Sequence, residues 1–407
     1  MKTLLPLLFI TIVVMNGCTP KTQMEWTKWR GPSSNGTITE EGWSATNLDS
    51  LHVLWRKDIG FGHSTAAVRG DRCYISGWKE EISNEDTIAS STIYCLDVNT
   101  GETVWAYNYA AAKRSYPGPR SSPVLDENRL YSIGWEGQFF CLDAKTGHEI
   151  WQVDLAADSL TFPDSWGYNQ SPVIYDQLIL LNLNKAGIAL DKMSGEVVWN
   201  SELGRSHFAS VQLVDWQGKK VGVFMADSML NLIDPLTGKV VTSYVKSTEM
   251  GMENDVMQTA SGDLFTSNEL LTPGKDSLSR VWLNDSVSSA FRTGVILGDY
   301  AYQFSNYKRK YYLYCIDVKT GKPQWFEDLG QWGGLSAVNN QLMILTGLGK
   351  VIIAEATPEK YTSLAELQVL TAENKPENWC WAAPTFLNGK LYVRNSKGEM
   401  TCINLKL

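Results

Sequence analysis

At eight corresponding places in this chain a short segment stands just ahead of an apolar run, and nearly every one carries an aromatic ring, a histidine or an arginine. The places are Phe61-Gly62-His63, Pro119-Arg120, Trp166-Gly167-Tyr168-Asn169, Ser206-His207-Phe208, Asp255-Val256-Met257, Phe291-Arg292, Trp332-Gly333-Gly334 and Trp379-Cys380-Trp381. Two of the four histidines of the chain, His63 and His207, fall at this recurring position. Guanidinium groups beside large rings bind planar or anionic groups, through charge and through ring faces. His63, His207 and scattered carboxylates are the groups that could move protons on a polysaccharide, as a hydrolase or lyase would, but their spacing orients no acid–base pair. Taken singly, each of these residues reads as packing; taken as a set, they read as a recessed aromatic and cationic site. No CxxC and no Cys/His cluster points to a metal. Asp97-x-Asn99-x-Gly101 resembles a calcium-loop fragment, but it lacks the remaining ligands and recurs as a turn.

What must position these residues is a repeat. YCLDVNTGETVW ends at Trp105, FCLDAKTGHEIW at Trp151, IALDKMSGEVVW at Trp199 and YCIDVKTGKPQW at Trp325, with a weaker copy ending at Tyr244. The shared frame is apolar-Asp-x-x-x-Gly-x-x-x-Trp. The apolar residues end a strand, and the Asp starts a turn by accepting backbone amides. The Gly supplies a positive φ, and the Trp offers a ring to bury between neighbouring units. The first three tryptophans lie 46 and 48 residues apart. A period in the forties with a hairpin in each copy predicts an all-β fold, a β-propeller of four-stranded antiparallel blades. Seven whole units are legible between about Ser64 and Leu370, the fifth, near Gln258 to Asp285, being the most eroded. The last, APTFLNGKLYVRNSKGEMTCINL, stops at Leu407 without a return strand. VLWRKDIG, from Val53 to Gly60, is a return strand without a unit, so the sequence predicts eight blades closed by an N-terminal strand that completes the last one. In such a ring the eight marked places surround one mouth of the central channel. The candidate binding residues are His63, Arg120, Trp166, Tyr168, Asn169, His207, Phe208, Arg292, Trp332, Trp379 and Trp381. The basic-aromatic stretch NYKRKYYL, from Asn306 to Leu313, reads as a hairpin loop on the same face.

The 407 residues carry a formal net charge of −8 and no long basic run, which makes nucleic acid an unexpected partner. Lys2 and the apolar run from Leu4 to Met15 read as a signal peptide over residues 1–17, and Asn16-Gly17-Cys18 reads as a lipobox with Cys18 lipidated. Residues 18–50 read as a tether and docking segment whose three tryptophans, Trp26, Trp29 and Trp43, hold it to the body; residues 51–407 form the propeller. Thr19, not Asp, follows the Cys. The expected product is a monomeric outer-membrane lipoprotein of a Gram-negative cell, facing the periplasm or the cell surface and touching the membrane through its anchor alone. Cys95, Cys141, Cys315 and Cys402 occupy one place in their repeats, too far apart to bridge, and read with Cys73 and Cys380 as small buried hydrophobes.

The frame resembles the pyrroloquinoline quinone (PQQ)-type propeller repeat, and the whole mature chain, from WRGPSSNG through AEATPEKY to LYVRNSKGEMTCINL, is similar to bacterial PQQ-binding-like β-propeller repeat proteins. Anchor, blade number and length also resemble the BamB family of the outer-membrane β-barrel assembly machinery. That resemblance implies a non-catalytic scaffold binding an envelope protein or glycan, with no cofactor. The alternative it implies is a quinoprotein oxidoreductase with PQQ held on calcium, an Asp base and usually an adjacent Cys pair. The chain has no adjacent Cys pair and no haem-attachment CxxCH.

Overall fold

The computed structural model describes residues 24–48, 52–83, 86–113, 115–157, 161, 166–183, 185–246, 252–289, 291–307 and 310–407. The signal segment and Cys18 lie outside them, as do two residues of the basic-aromatic hairpin. The described residues form eight antiparallel sheets in chain order, with only short 3-10 turns and no α-helix among them. Blade one consists of Ala67–Arg69, Arg72–Ser83, Asp86–Asp97 and Thr103–Ala110. The other blades repeat this order, inner strand first, down to Thr385–Leu387, Lys390–Arg394 and Glu399–Asn404 in blade eight. The outermost strand of blade eight is Val53–Asp58, paired with Glu399–Asn404 so that Trp55 faces Cys402. The Trp55 ring lies 6.1 Å from that of Tyr392. The chain's two ends thus share one sheet, and the expected closure of the ring is observed. Blade seven gains a fifth strand, Thr37–Ile38, parallel to its inner strand.

The frame works between blades as well as within them. In each turn the Asp side chain gathers amides: Asp97 Oδ1 accepts from Asn99 N at 2.8 Å and Thr100 N at 3.0 Å. The Gly then lies under the indole of the preceding blade. A Cβ on Gly101 would come within 2.7 Å of Trp55, one on Gly147 within 2.7 Å of Trp105, one on Gly195 within 2.9 Å of Trp151, one on Gly238 within 2.7 Å of Trp199 and one on Gly321 within 2.5 Å of Trp282. Four of these indoles also donate Nε1–H to the next blade's turn, Trp55 to Val98 O, Trp105 to Ala144 O, Trp199 to Pro235 O and Trp282 to Val318 O, at 2.8–3.1 Å. Positive φ and room for a ring both require Gly there.

Blade five lacks the Gly, and blade four ends in Tyr244 instead of Trp. Their junction is held by a buried ion pair: Lys246 Nζ meets Glu269 Oε1 at 2.6 Å, Thr266 Oγ1 at 2.9 Å and Asn268 Oδ1 at 3.1 Å. Tyr244 donates to Glu269 Oε2 at 3.1 Å. Burial lowers the Lys246 pKa, and Glu269 partly restores it. The erosion seen in the sequence is a change of junction chemistry, from ring on glycine to a satisfied charge network.

Two outcomes follow for stability. Gly147→Ala forces a Cβ into Trp105 at φ +75°, whereas Gly298→Ala meets only its φ of +61°, with nothing within 4 Å. Urea unfolding will show a loss of roughly 1–2 kcal/mol for Gly298→Ala, and roughly 1–3 kcal/mol more for Gly147→Ala. The carboxyls of Asp97, Asp143 and Asp191 are held below the usual Asp value of 3.8, chiefly by the Asn99 amide, the Thr146 hydroxyl and the Ser194 amide. A depressed carboxyl stabilises the fold fully above its unfolded value and loses that contribution as pH falls through the folded one. The triple change Asp97→Asn, Asp143→Asn, Asp191→Asn will therefore flatten the fall of the urea midpoint below about pH 4.

Candidate functional site

In every blade the inner strand starts at one face of the ring, and the Asp–Gly turns lie at the other. The segment of residues 24–48 runs across the turn face. Trp26 pairs with Val68, Thr27 O accepts Leu125 N at 2.8 Å, Thr37–Ile38 joins blade seven, and Trp43 bridges to Lys406. Between these anchors Trp29 and Arg30 rise into the channel. Trp29 Nε1 donates to Asp255 Oδ2 at 2.6 Å. Arg30, 5% exposed, donates to Thr293 O at 3.0 Å, Gly294 O at 2.5 Å and Asn35 O at 2.8 Å, with its Nε 3.9 Å from Asp255 Oδ2. The pair forms a floor to the channel.

Above the floor an arc of side-chain oxygens ties blades one to six in succession. Thr65 N donates to Ser122 Oγ, Ser122 N to Ser171 Oγ, Ser171 N to Ser210 Oγ, Ser210 N to Asp255 Oδ1 and Asp255 N to Thr293 Oγ1, all at 2.8–3.0 Å. Asp255 takes the place of a hydroxyl in this arc, and its second oxygen receives the floor.

The mouth over this arc is one cavity of about 360 Å³. Of the residues expected from the sequence, His63, Arg120, Trp166, Asn169, Phe208, Arg292 and Trp381 line it. Trp332 and Trp379 stand behind Trp381, with both ring centroids 5.9 Å from its own. Tyr311, from the basic-aromatic hairpin, packs edge-on against both of those rings, which puts that hairpin on the mouth face. Two expected residues lie elsewhere. Tyr168 is buried in the core between blades two and three, its hydroxyl 2.6 Å from Thr161 Oγ1. The His207 ring turns to Asp227 O, at 3.1 Å from its Nε2. Asp255 and Phe291, from two of the eight marked places though not among the candidate binding residues, line the cavity as well, as do Trp29, Arg30, Tyr116 and Glu253, which the sequence did not single out.

Guanidiniums and rings alternate around the mouth. Arg120 lies over Trp166 at 5.7 Å and donates to Tyr116 O at 2.9 Å. Arg292 lies over Trp381 at 4.4 Å and over Trp332 at 5.9 Å, and donates to Trp381 O. Arg394, buried behind, donates to Ser76 O at 2.8 Å and Gly60 O at 2.9 Å. Burial, then Arg120, Arg394 and Arg292, push the His63 imidazole well below its usual 6.5, so it is neutral at physiological pH, with Nδ1 3.2 Å from Ser396 Oγ. Burial likewise lowers the Arg292 guanidinium, to about 9.

A family profile described as outer membrane protein assembly factor BamB matches residues 89–356. The chain belongs to the BamB family. BamB from Moraxella catarrhalis is similar in structure, with TM-score 0.60 and 14% identity over 86% of this chain and 98% of that one. A europium-containing methanol dehydrogenase is also similar, with TM-score 0.64 and 14% identity over 92% and 89%. So is the quinohemoprotein alcohol dehydrogenase from Comamonas testosteroni, at 0.52 and 13% over 93% and 80%. No curated protein matches the sequence. At these identities the BamB structure and the dehydrogenases share the fold with this chain and no more, so the site of this BamB-family member has to be read from its own residues.

The floor is the part of that site with the largest stake in stability. Arg30→Ala leaves Asp255 buried without its cation, and urea unfolding will show a loss of about 3 kcal/mol. Arg30→Ala with Asp255→Asn removes the stranded charge and will regain part of that loss; strictly additive losses would contradict the coupling.

Proposed function

We propose that this chain is a non-catalytic scaffold of the cell envelope, lipidated at Cys18 and held as a monomer at the outer membrane facing the periplasm. Its mouth receives a ring-bearing, anionic group presented by an envelope protein or glycan. The observation that carries this reading is the division of labour at the cavity. Asp255 is spent on the blade ring and the floor, while guanidiniums stacked on tryptophans face the open space. His63 is held neutral beside a serine, which removes it as an acid. The family's description as an outer membrane protein assembly factor fits a scaffold at that place. No helix among the described residues is long and apolar enough to cross a membrane.

A calcium-held quinone does not fit these residues. Among the described residues no three His, Cys, Asp or Glu side chains are grouped to hold a metal. Both Asp255 oxygens already accept hydrogen bonds. The described cysteines are free and buried, none beside another.

Capture from crosslinked envelopes tests the reading. The lipidated protein will recover a specific partner above a control carrying only the lipobox. The variant Phe208→Ala/Trp381→Ala, with unchanged melting, will lose most of that recovery. Recovery that ignores this variant would refute the mouth as the binding surface.

A further inference from the structure

Two residues lining the cavity hold buried polar atoms of opposite kind without a hydrogen-bond partner, and His63 Nε2 and Arg30 Nε lack one as well. Arg292 opens the loop into blade six, and its Nε and Nη2 are buried with no hydrogen-bond partner. The one donor it uses reaches Trp381 O, and no carboxylate among the described residues pairs with it. Asn169 opens the loop into blade three. Its Nδ2 donates to Gly167 O at 2.9 Å, which fixes the amide and leaves Oδ1 buried and unpartnered at the cavity. A buried donor pair and a buried acceptor without partners are each costly unless something else satisfies them. Between the two lie the rings of Trp29, Trp166, Phe208 and Trp381.

Charge points the same way as hydrogen bonding. Arg292 brings a guanidinium to the cavity, with His63 neutral and Arg394 close behind. A carboxylate on the ligand meets that cation through both of its unpartnered N–H groups. A carboxylate that also carries a hydroxyl donor and a ring, and fits a cavity of about 360 Å³, is a sugar acid. The apolar face of a pyranose suits tryptophan rings, its carboxylate suits the two open N–H groups of Arg292 in the bidentate manner of guanidinium, and its hydroxyls suit the Asn169 carbonyl.

We propose that the mouth seats a uronic acid residue of an acidic glycan, with Arg292 holding the carboxylate, Asn169 Oδ1 accepting a ring hydroxyl and the tryptophans flanking the ring. The assignment rests on the reading of the mouth as a binding surface and adds the chemistry of what enters it.

The test is titration of the whole mature protein with glucuronic acid, glucose and benzoate, followed by calorimetry and by tryptophan fluorescence. Glucuronic acid will bind, and glucose, without the carboxylate, and benzoate, without hydroxyls, will bind about tenfold more weakly or less. Arg292→Gln will lower glucuronic acid affinity about tenfold or more without altering the response to glucose. Arg292→Lys keeps the charge over Trp381 but not the fork and will fall between Arg292→Gln and the natural protein, which guards against a variant that merely packs badly. Absence of glucuronic acid binding, equal binding of glucose, or benzoate binding as tightly, overturns the proposal. If these tests fail while envelope capture still depends on Phe208 and Trp381, the mouth remains a binding surface and the uronate assignment alone falls.

Discussion

The structure depends on one contact, the indole of one blade resting on the turn glycine of the next. Tryptophan rings bury a large apolar area, but only against a partner surface that is flat and close. A backbone turn without a Cβ is such a surface, and at five junctions a Cβ added to the glycine would come within 2.5–2.9 Å of the ring. Because the glycine belongs to the following blade, no blade is complete alone. The junction from blade eight to blade one uses Trp55, a residue from the start of the chain, against Gly101. Ring closure and blade docking are therefore the same interaction applied once more, and a chain starting after Asp58 would lose both the outer strand of blade eight and the ring that meets blade one.

This constraint divides the molecule into two unlike faces. The turns, with their Asp, Gly and Trp, are committed to docking, and the N-terminal segment then covers that face and sends Trp29 and Arg30 inward. The loops at the other face carry no such duty. There the chain accumulates guanidiniums and rings and tolerates backbone strain: Tyr116 has φ 54° and Phe291 φ 60°, left-handed values that bulky residues rarely hold. Each lies edge-on to a ring from another loop, Tyr116 to Trp166 at 4.8 Å and Phe291 to Phe208 at 5.1 Å. Arg120 and Arg292 open the loops into blades two and six, four places apart in a ring of eight, so the two Arg–Trp stacks face each other across the channel.

Much of this was legible in the chain itself, because docking leaves a periodic trace. The Asp–Gly–Trp frame recurs at a fixed spacing, and the strand that lacks a unit and the unit that lacks a strand match each other. Seven of the eleven mouth residues were readable from their place before an inner strand. Tyr168 shows the limit of that reasoning. It stands next to Asn169, and in extended chain adjacent side chains point opposite ways, so one lines the mouth and the other enters the core. His207 and Phe208 divide in the same manner. The floor was hidden for a different reason: WTKWRGPSSNG is irregular, and three tryptophans say that it docks but not where. The arc of hydroxyls was hidden too, since a serine before a strand is common and its partner lies a whole blade away in sequence.

Blade five ties the two themes together. At its junction the ring-on-glycine contact is gone and Lys246 is satisfied by Glu269, Thr266 and Asn268. A few residues on, Asp255 stands where other blades have a hydroxyl, and there it anchors both the neighbouring blade and the floor. Asp255 and Glu269 are thus both committed to holding the fold together. Removing a partner from either network would strand a buried charge, a cost of several kcal/mol. Propellers of the same shape hold quinone enzymes and assembly factors alike, and shape does not choose between them. What marks this mouth is which polar atoms the fold has already used: both oxygens of Asp255 are taken, and two donors of Arg292 and the Asn169 amide oxygen are not.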